Sequence, residues 1–143
     1  MKNEFDALKL DNQLCFPLYA ASKEIVRKYR PFLDELDLTY TQYITMLVLW
    51  EEDKQNVKDL GKRLYLDSGT LTPVLKYLES KGYVQRTRQP KDERNLVISL
   101  TEKGRRLKEK AISIPNKISQ CVKLSQEDTV TLHRILYTIL NEG

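Results

Sequence analysis

The sequence predicts a mainly α-helical chain with one small β-hairpin, an α+β arrangement, and three observations predict it. Apolar residues recur at spacings of three and four near both ends of the chain, the mark of amphipathic helices. Between Asn56 and Gly82 two helix signals are separated by a tight turn. From Tyr83 to Leu100 two strand-like runs flank a charged segment. Helix, turn, helix and hairpin, set between long terminal helices, are the parts of a winged helix-turn-helix with N- and C-terminal dimerisation helices.

The first helix is expected over Asp11–Arg30, where Leu14, Leu18, Ala21 and Ile25 form a stripe. Pro17 has no amide hydrogen to donate, so the helix should start near it or bend there, and Pro31 should end it. Thr39 to Gln42 reads as a capping box that opens a helix carrying Ile44, Leu47, Val48 and Trp50. Asn56 is the expected N-cap of a short helix through Leu60 and Leu64. The next helix opens with Asp67-Ser68-Gly69-Thr70 and should bury Leu71, Val74, Leu75 and Leu78, with a bend at Pro73. Gly82 suits a left-handed helix terminus. Strands fit Tyr83–Arg88 and Asn95–Leu100. Thr101 should cap a long helix bent at Pro115, with Leu107, Ala111, Ile114, Ile118 and Cys121 on one stripe. Ser125 should cap the last helix, whose stripe is Leu132, Ile135, Leu136, Ile139 and Leu140.

At 143 residues the chain is read as a single domain, 1–143, large enough to bury its own core. Residues 39–100 are assigned to the winged helix-turn-helix, and 1–38 with 101–143 to a helical dimerisation region. The terminal helices carry wider apolar stripes than the winged unit can cover, so a second copy is the economical solution. A two-fold homodimer also suits double-stranded DNA, because two reading heads one helical turn apart match a palindromic operator.

Charge points the same way. Net charge is +4, but residues 84–110 alone hold nine Lys/Arg against four Asp/Glu, a local +5 that leaves −1 for the rest. A basic patch on a neutral body is the footprint of a polyanion binder. Four cations fall within the nine residues Arg86–Arg94. A solvated helix face accounts for Lys103–Lys110 equally well, but not for cations on a hairpin tip. No apolar run reaches the ~18 residues of a membrane span, and Met1–Leu10 has no apolar signal core, so a cytoplasmic protein is expected. Two cysteines 106 positions apart, with His133 the only histidine, make neither a disulfide framework nor a zinc site. No cofactor and no enzymatic activity are expected.

On the recognition helix, Ser68, Thr70, Thr72 and Lys76 are left outward. Short hydroxyls and Gly69 permit close backbone approach, and the helix N-terminus attracts a phosphate. Capping by Asp67 or Ser68 is compatible with that role. In the wing, Arg94 is the choice for the minor groove, oriented by Asp92, while Arg86, Arg88 and Lys91 neutralise phosphates.

These residues resemble the MarR family of bacterial transcription regulators, and within it the OhrR group of organic-hydroperoxide-responsive repressors. The resemblance runs through Gln13-Leu14-Cys15-Phe16, Leu38-Thr39-Tyr40-Thr41-Gln42-Tyr43 and Leu66-Asp67-Ser68-Gly69-Thr70-Leu71-Thr72-Pro73. It continues in Asp92-Glu93-Arg94 and in Leu100-Thr101 with Gly104. It implies a minor-groove role for Arg94 and a redox-sensor role for Cys15.

An ordinary cysteine is only a few per cent thiolate at neutral pH, so a sensor needs help. Cys15 lies at the first turn of a long helix, where the dipole favours an anion, and Tyr19 is one turn on. The resemblance implies that Tyr29 and Tyr40 also lie around the sulfur and donate to it. Oxidation would then give a sulfenic acid and a mixed or protein disulfide. The resemblance also implies that Cys121 can resolve the oxidised thiol across subunits; its place on an apolar stripe is equally consistent with packing. Two other readings of function stand beside this one. A small aromatic ligand could release the regulator, with Cys15 structural, or the chain could be a thiol peroxidase. The latter lacks a nearby Cys pair or an activating Arg or His.

Overall fold

The computed structural model describes residues 3–89 and 92–141; for Gln89, Asp92, Glu93 and Arg94 it describes the backbone alone. The chain opens with two 3-10 turns, Glu4–Leu8 and Leu10–Asn12. Helix α1 (Cys15–Asp34) follows, then α2 (Tyr40–Glu51), a two-residue strand β1 (Gln55–Asn56), α3 (Val57–Leu64) and α4 (Ser68–Ser80). Strands β2 (Val84–Gln89) and β3 (Asp92–Leu100) lead to α5 (Glu102–Ala111), α6 (Ile114–Cys121) and α7 (Gln126–Leu140).

Caps set most boundaries as the sequence predicts. Thr39 accepts from the Gln42 amide while the Gln42 side chain accepts from the Thr39 amide at 2.9 Å, a complete capping box. Asn56, Asp67, Thr101 and Ser125 each accept an amide hydrogen three residues on. Gly82 takes φ +78° after α4.

The prolines behave differently from expectation. Helix α1 begins at Cys15, so Pro17 occupies the first turn, where an amide donor has no intrahelical partner, and it need not bend the helix. Pro31 lies inside α1 and does not end it. The hydrogen bond it forgoes is offset by the packing of Phe32 and Leu33 on the core. The single bent helix expected after Thr101 is two helices, with Pro115 in the first turn of α6, where its fixed φ is at home. Strand β1 was not foreseen. It holds its place through β3, with Gln55 opposite Ile98 and Asn56 opposite Val97.

The sheet has the order β1-β3-β2, all antiparallel, and β2 pairs with β3 from Val84–Leu100 to Arg88–Leu96. Behind it the core gathers one face of each helix of the winged unit. Met46, Leu49, Leu60, Leu71, Leu78 and Ile98 are fully buried there, and the expected set Leu71, Val74, Leu75 and Leu78 all face it. Gly61 lets the turn between α3 and α4 close: Leu66 N donates to Gly61 O at 2.9 Å, and a Cβ on Gly61 would stand 2.7 Å from the Leu66 carbonyl oxygen. The Trp50 indole donates to Gly104 O at 2.9 Å, tying α2 to α5.

The terminal helices are the exception. Helix α7 buries no residue, and Leu132, Ile135, Ile139 and Leu140 stand in solvent. On α1 the expected stripe is largely bare, with Leu14 88% and Leu18 42% exposed.

Candidate nucleic-acid interface and thiol region

The recognition helix α4 presents its N-terminal turn outward. Asp67 Oδ1 accepts from Thr70 N at 2.7 Å, and that amide holds the carboxyl below its usual range, so the cap is anionic at neutral pH. Ser68, Gly69, Thr70 and Lys76 are exposed. A Cβ on Gly69 would make only an ordinary 3.4 Å contact with its own cap, so crowding inside the protein does not explain the glycine. The glycine leaves open backbone on the outer face, which a ligand can approach closely. Thr72 is half-buried, and its hydroxyl donates to Ser68 O at 2.7 Å. What it still offers outward is its methyl group and a lone pair.

In the wing, Arg86 is committed elsewhere than to phosphate. Its Nε and a terminal nitrogen both reach Glu79 Oε1, at 3.1 and 2.9 Å, bracing the root of β2 against the end of α4. The guanidinium in turn holds the Glu79 carboxyl below its usual range. Arg88 is exposed on β2. Lys91 and the side chains of Asp92 and Arg94 lie outside the described residues.

Sequence reading missed a second cationic element. Lys58 and Lys62 are one turn apart on α3, both exposed and in no ion pair among the described residues, and Tyr65 follows them, 56% exposed in a left-handed conformation (φ 57°) at the turn. The first helix of a helix-turn-helix crosses the DNA backbone, so lysines at that spacing after the Asn56 cap were the available signal.

The thiol region divides into two parts. Cys15 is the first residue of α1 and exposed. Tyr19 is exposed on the next turn, its ring under the Lys23 ammonium at 4.7 Å. The other tyrosines pack with one another. Tyr29 meets Tyr40 edge-on with centroids 4.9 Å apart, and Tyr43 completes the cluster at 5.8 Å from Tyr29. Burial, then the neighbouring phenols Tyr40 and Tyr43, push Tyr29 up to about 12; burial raises Tyr40, and burial followed by Tyr40 raises Tyr43. All three are therefore neutral hydroxyl donors at physiological pH. Cys15 and Tyr29 are fourteen positions apart on one helix, about 21 Å at the α-helical rise. The protomer thus assembles the tyrosines but leaves Cys15 away from them. Cys121, last in α6, is exposed rather than packed on the stripe of Leu107, Ala111 and Ile114.

Among the described residues no group of three or more His, Cys, Asp or Glu could hold a metal ion, and no helix is long and apolar enough to cross a membrane.

A helix-turn-helix with a bare N-terminal turn and a cationic wing defines a DNA-binding transcriptional regulator of the winged-helix class, not an enzyme. The family model described as transcriptional regulator SarA/Rot matches residues 27–111. The organic hydroperoxide resistance transcriptional regulator of Bacillus subtilis (strain 168) is 53% identical over 140 residues, covering 98% of this chain and 95% of that protein. Among solved structures, reduced AbfR bound to DNA superposes with a TM-score of 0.77 at 36% identity, covering 96% of both chains. Disulfide-formed AbfR gives 0.66 at 37%, covering 94% of this chain and 95% of that one; AbfR is a protein of Staphylococcus epidermidis. The chain belongs to the SarA/Rot family of transcriptional regulators, among the MarR-type, OhrR-like proteins that its motifs resemble.

Proposed function

We propose that this protein is a cytoplasmic repressor that binds a palindromic operator as a homodimer and releases it when an organic hydroperoxide oxidises Cys15. Residues 39–100 act as the DNA-binding unit, and 1–38 with 101–143 as the dimerisation region.

One observation carries the reading. Cys15 and the tyrosine cluster sit at opposite ends of a helix that leaves Phe16, Leu18 and Val26 exposed. Crossing α1 with a second α1 about a two-fold axis brings the thiol of one protomer to Tyr29 and Tyr40 of the other. Two equivalent sites form at once. Neutral phenols at that point donate hydrogen bonds to the sulfur and favour its anion. The thiolate attacks the distal oxygen of the hydroperoxide, the O–O bond breaks, and the alcohol leaves after taking up a proton. The resulting sulfenic acid condenses with a thiol, either a small one or Cys121 of the partner subunit, releasing water and forming a disulfide. The adduct is larger than a thiolate and no longer accepts from both phenols. The pair of α1 helices shifts, and with it the spacing of the two recognition helices.

The test is DNA binding before and after treatment with cumene hydroperoxide, for the wild type, Cys15→Ser and Cys121→Ser. The wild type should release its DNA and Cys15→Ser should stay bound. Release by Cys15→Ser to the same extent as the wild type would remove the thiol from the mechanism. Cys121→Ser reports whether a second protein thiol is needed.

A further inference from the structure

The first residues of the described chain form a compact arm that buries no side chain. Asn3 accepts from Phe5 N at 2.9 Å, Asn12 donates to Asp6 O at 2.6 Å, and Gln13 donates to Ala7 O and Lys9 O at 2.8 and 2.7 Å. These bonds give the arm a shape of its own. That shape displays Phe5, Leu8, Leu10 and Leu14, which are 64, 77, 57 and 88% exposed. Four large apolar side chains in ten residues are a surface awaiting a partner.

A cleft of matching character opens between α2 and α5. It has a volume of about 260 Å³ and is lined by Tyr43, Leu47, Trp50, Ala111, Ile112 and Pro115. Its apolar lips are bare, Leu47 at 40% and Ile112 at 75% exposed; Lys108 also lines it, as does Glu51, whose carboxylate is paired with Arg63 at 2.9 Å.

We propose that the arm of each protomer seats in this cleft on a second copy of the chain, as a reciprocal strap. The inference rests on the dimer proposed above, and two observations select this occupant. The first is charge. The arm over residues 3–14 carries Glu4, Asp6 and Asp11 against Lys9, a net −2. Helix α5 carries Lys103, Arg105, Arg106, Lys108 and Lys110 against Glu102 and Glu109, a net +3, and Lys108 at the cleft rim is in no ion pair among the described residues. The second is continuity. Tyr43 is both a wall of the cleft and the third ring of the tyrosine cluster. With Cys15 of the partner subunit held at Tyr29 and Tyr40, the residues just before it emerge beside Tyr43. The arm runs directly into Cys15, so in that arrangement it starts beside the cleft, whose wall from Tyr43 to Trp50 on α2 is only about 10 Å long. The strap would also lie over the thiol's approach.

Two measurements test this. In a Cys15→Ser, Cys121→Ser background, chains carrying Phe5→Cys, Leu8→Cys or Leu10→Cys are each mixed with a size-tagged chain carrying Leu47→Cys or Ile112→Cys, and mildly oxidised. At least one pair should give a disulfide-linked heterodimer. No heterodimer in any of the pairs would overturn the proposal. Trp50, the sole tryptophan, gives the second readout. In the full chain carrying Phe5→Ser and Leu8→Ser, its emission should shift to the red and its acrylamide quenching rise about twofold as the half-buried ring meets water. Unchanged emission would count against the strap. Light scattering separates the outcomes: a monomeric wild type sinks the dimer and the strap together, whereas a dimer that responds to peroxide but never cross-links sinks the strap alone.

Discussion

The Tyr77 hydroxyl, near the end of the recognition helix, donates to the Asp37 carbonyl oxygen at 2.6 Å. Asp37 lies in the corner between α1 and α2, at φ 55°, and its carboxylate also meets the Lys81 ammonium at 2.7 Å. The corner that joins α1 to α2 is thus tied directly to α4. Movement of α1 has a short path to α4.

Removing that tie should uncouple the two. Tyr77→Phe deletes one exposed hydrogen bond, worth about 0.5–1 kcal/mol, and should lower Tm by only about 2 °C. Its larger effect should be on release: hydroperoxide should weaken DNA binding less than in the wild type. Anisotropy titrations of the reduced and oxidised protein check this, and an unaltered response would mean that the signal travels elsewhere.

Two glycines should separate stability from recognition. A Cβ on Gly104 would overlap the Tyr83 carbonyl oxygen in a buried corner, so Gly104→Ala should cost about 1–3 kcal/mol and several degrees of Tm. Gly61→Ala presses on the Leu66 carbonyl at the helix-helix turn. It should lower DNA affinity beyond what its loss of stability explains, because it moves α4 against α3. Calorimetry with binding titrations distinguishes the two.

The cations should fall into different classes in a salt titration. Lys58→Ala and Lys62→Ala should each reduce the slope of log affinity against log salt by about 0.9, the signature of a lost phosphate contact. Arg86→Ala should weaken binding with little change of slope, because the side chain is spent on Glu79 and acts by holding the wing. Arg94→Ala should lower affinity and leave the dimer intact. An unchanged affinity for Arg94→Ala would take the wing out of DNA recognition.

Stability should depend on pH at both ends of the range. Tyr29 ionises near pH 10 in the unfolded chain and about 12 in the folded one, so its contribution is complete below pH 10 and lost as pH rises towards 12. Tyr29→Phe should flatten that alkaline limb. At the acid end burial works against the Asp53 carboxylate, but the Leu100 and Lys54 amides and the Arg105 guanidinium outweigh it and lower the pKa. Its contribution is therefore present above pH 4 or so and disappears as pH falls through the depressed folded value. Asp53→Asn should be less stable at neutral pH and show a weaker acid transition. Denaturant unfolding across the pH range measures both.

How much of this was legible in the sequence follows the range of the forces involved. Thr39 with Gln42, Asn56, Asp67, Thr101 and Ser125 were readable because each cap satisfies its amide within three residues. The buried face of α4 was readable from its period. Pro31 misled, because the packing of Phe32 and Leu33 that carries α1 past it comes from distant residues. Strand β1 exists only through pairing with Val97 and Ile98, some forty residues on, and two residues have no period to read. At the interface, Ser68, Gly69 and Thr70 stand where expected. The pairing of Arg86 with Glu79 across the α4–β2 turn was not legible, because no local pattern in the sequence announces it. The split between Cys15 and the tyrosines needed only the helical rise and two residue numbers.

Helix α7, with Leu132, Ile135, Ile139 and Leu140 in water, has a consequence for supply. A chain in this condition gains much of its stability from meeting its twin, so the fraction that is properly assembled rises with total concentration by mass action. Freshly made protomers at low abundance should be the ones that proteases remove. Expression level then becomes a control on this regulator in its own right.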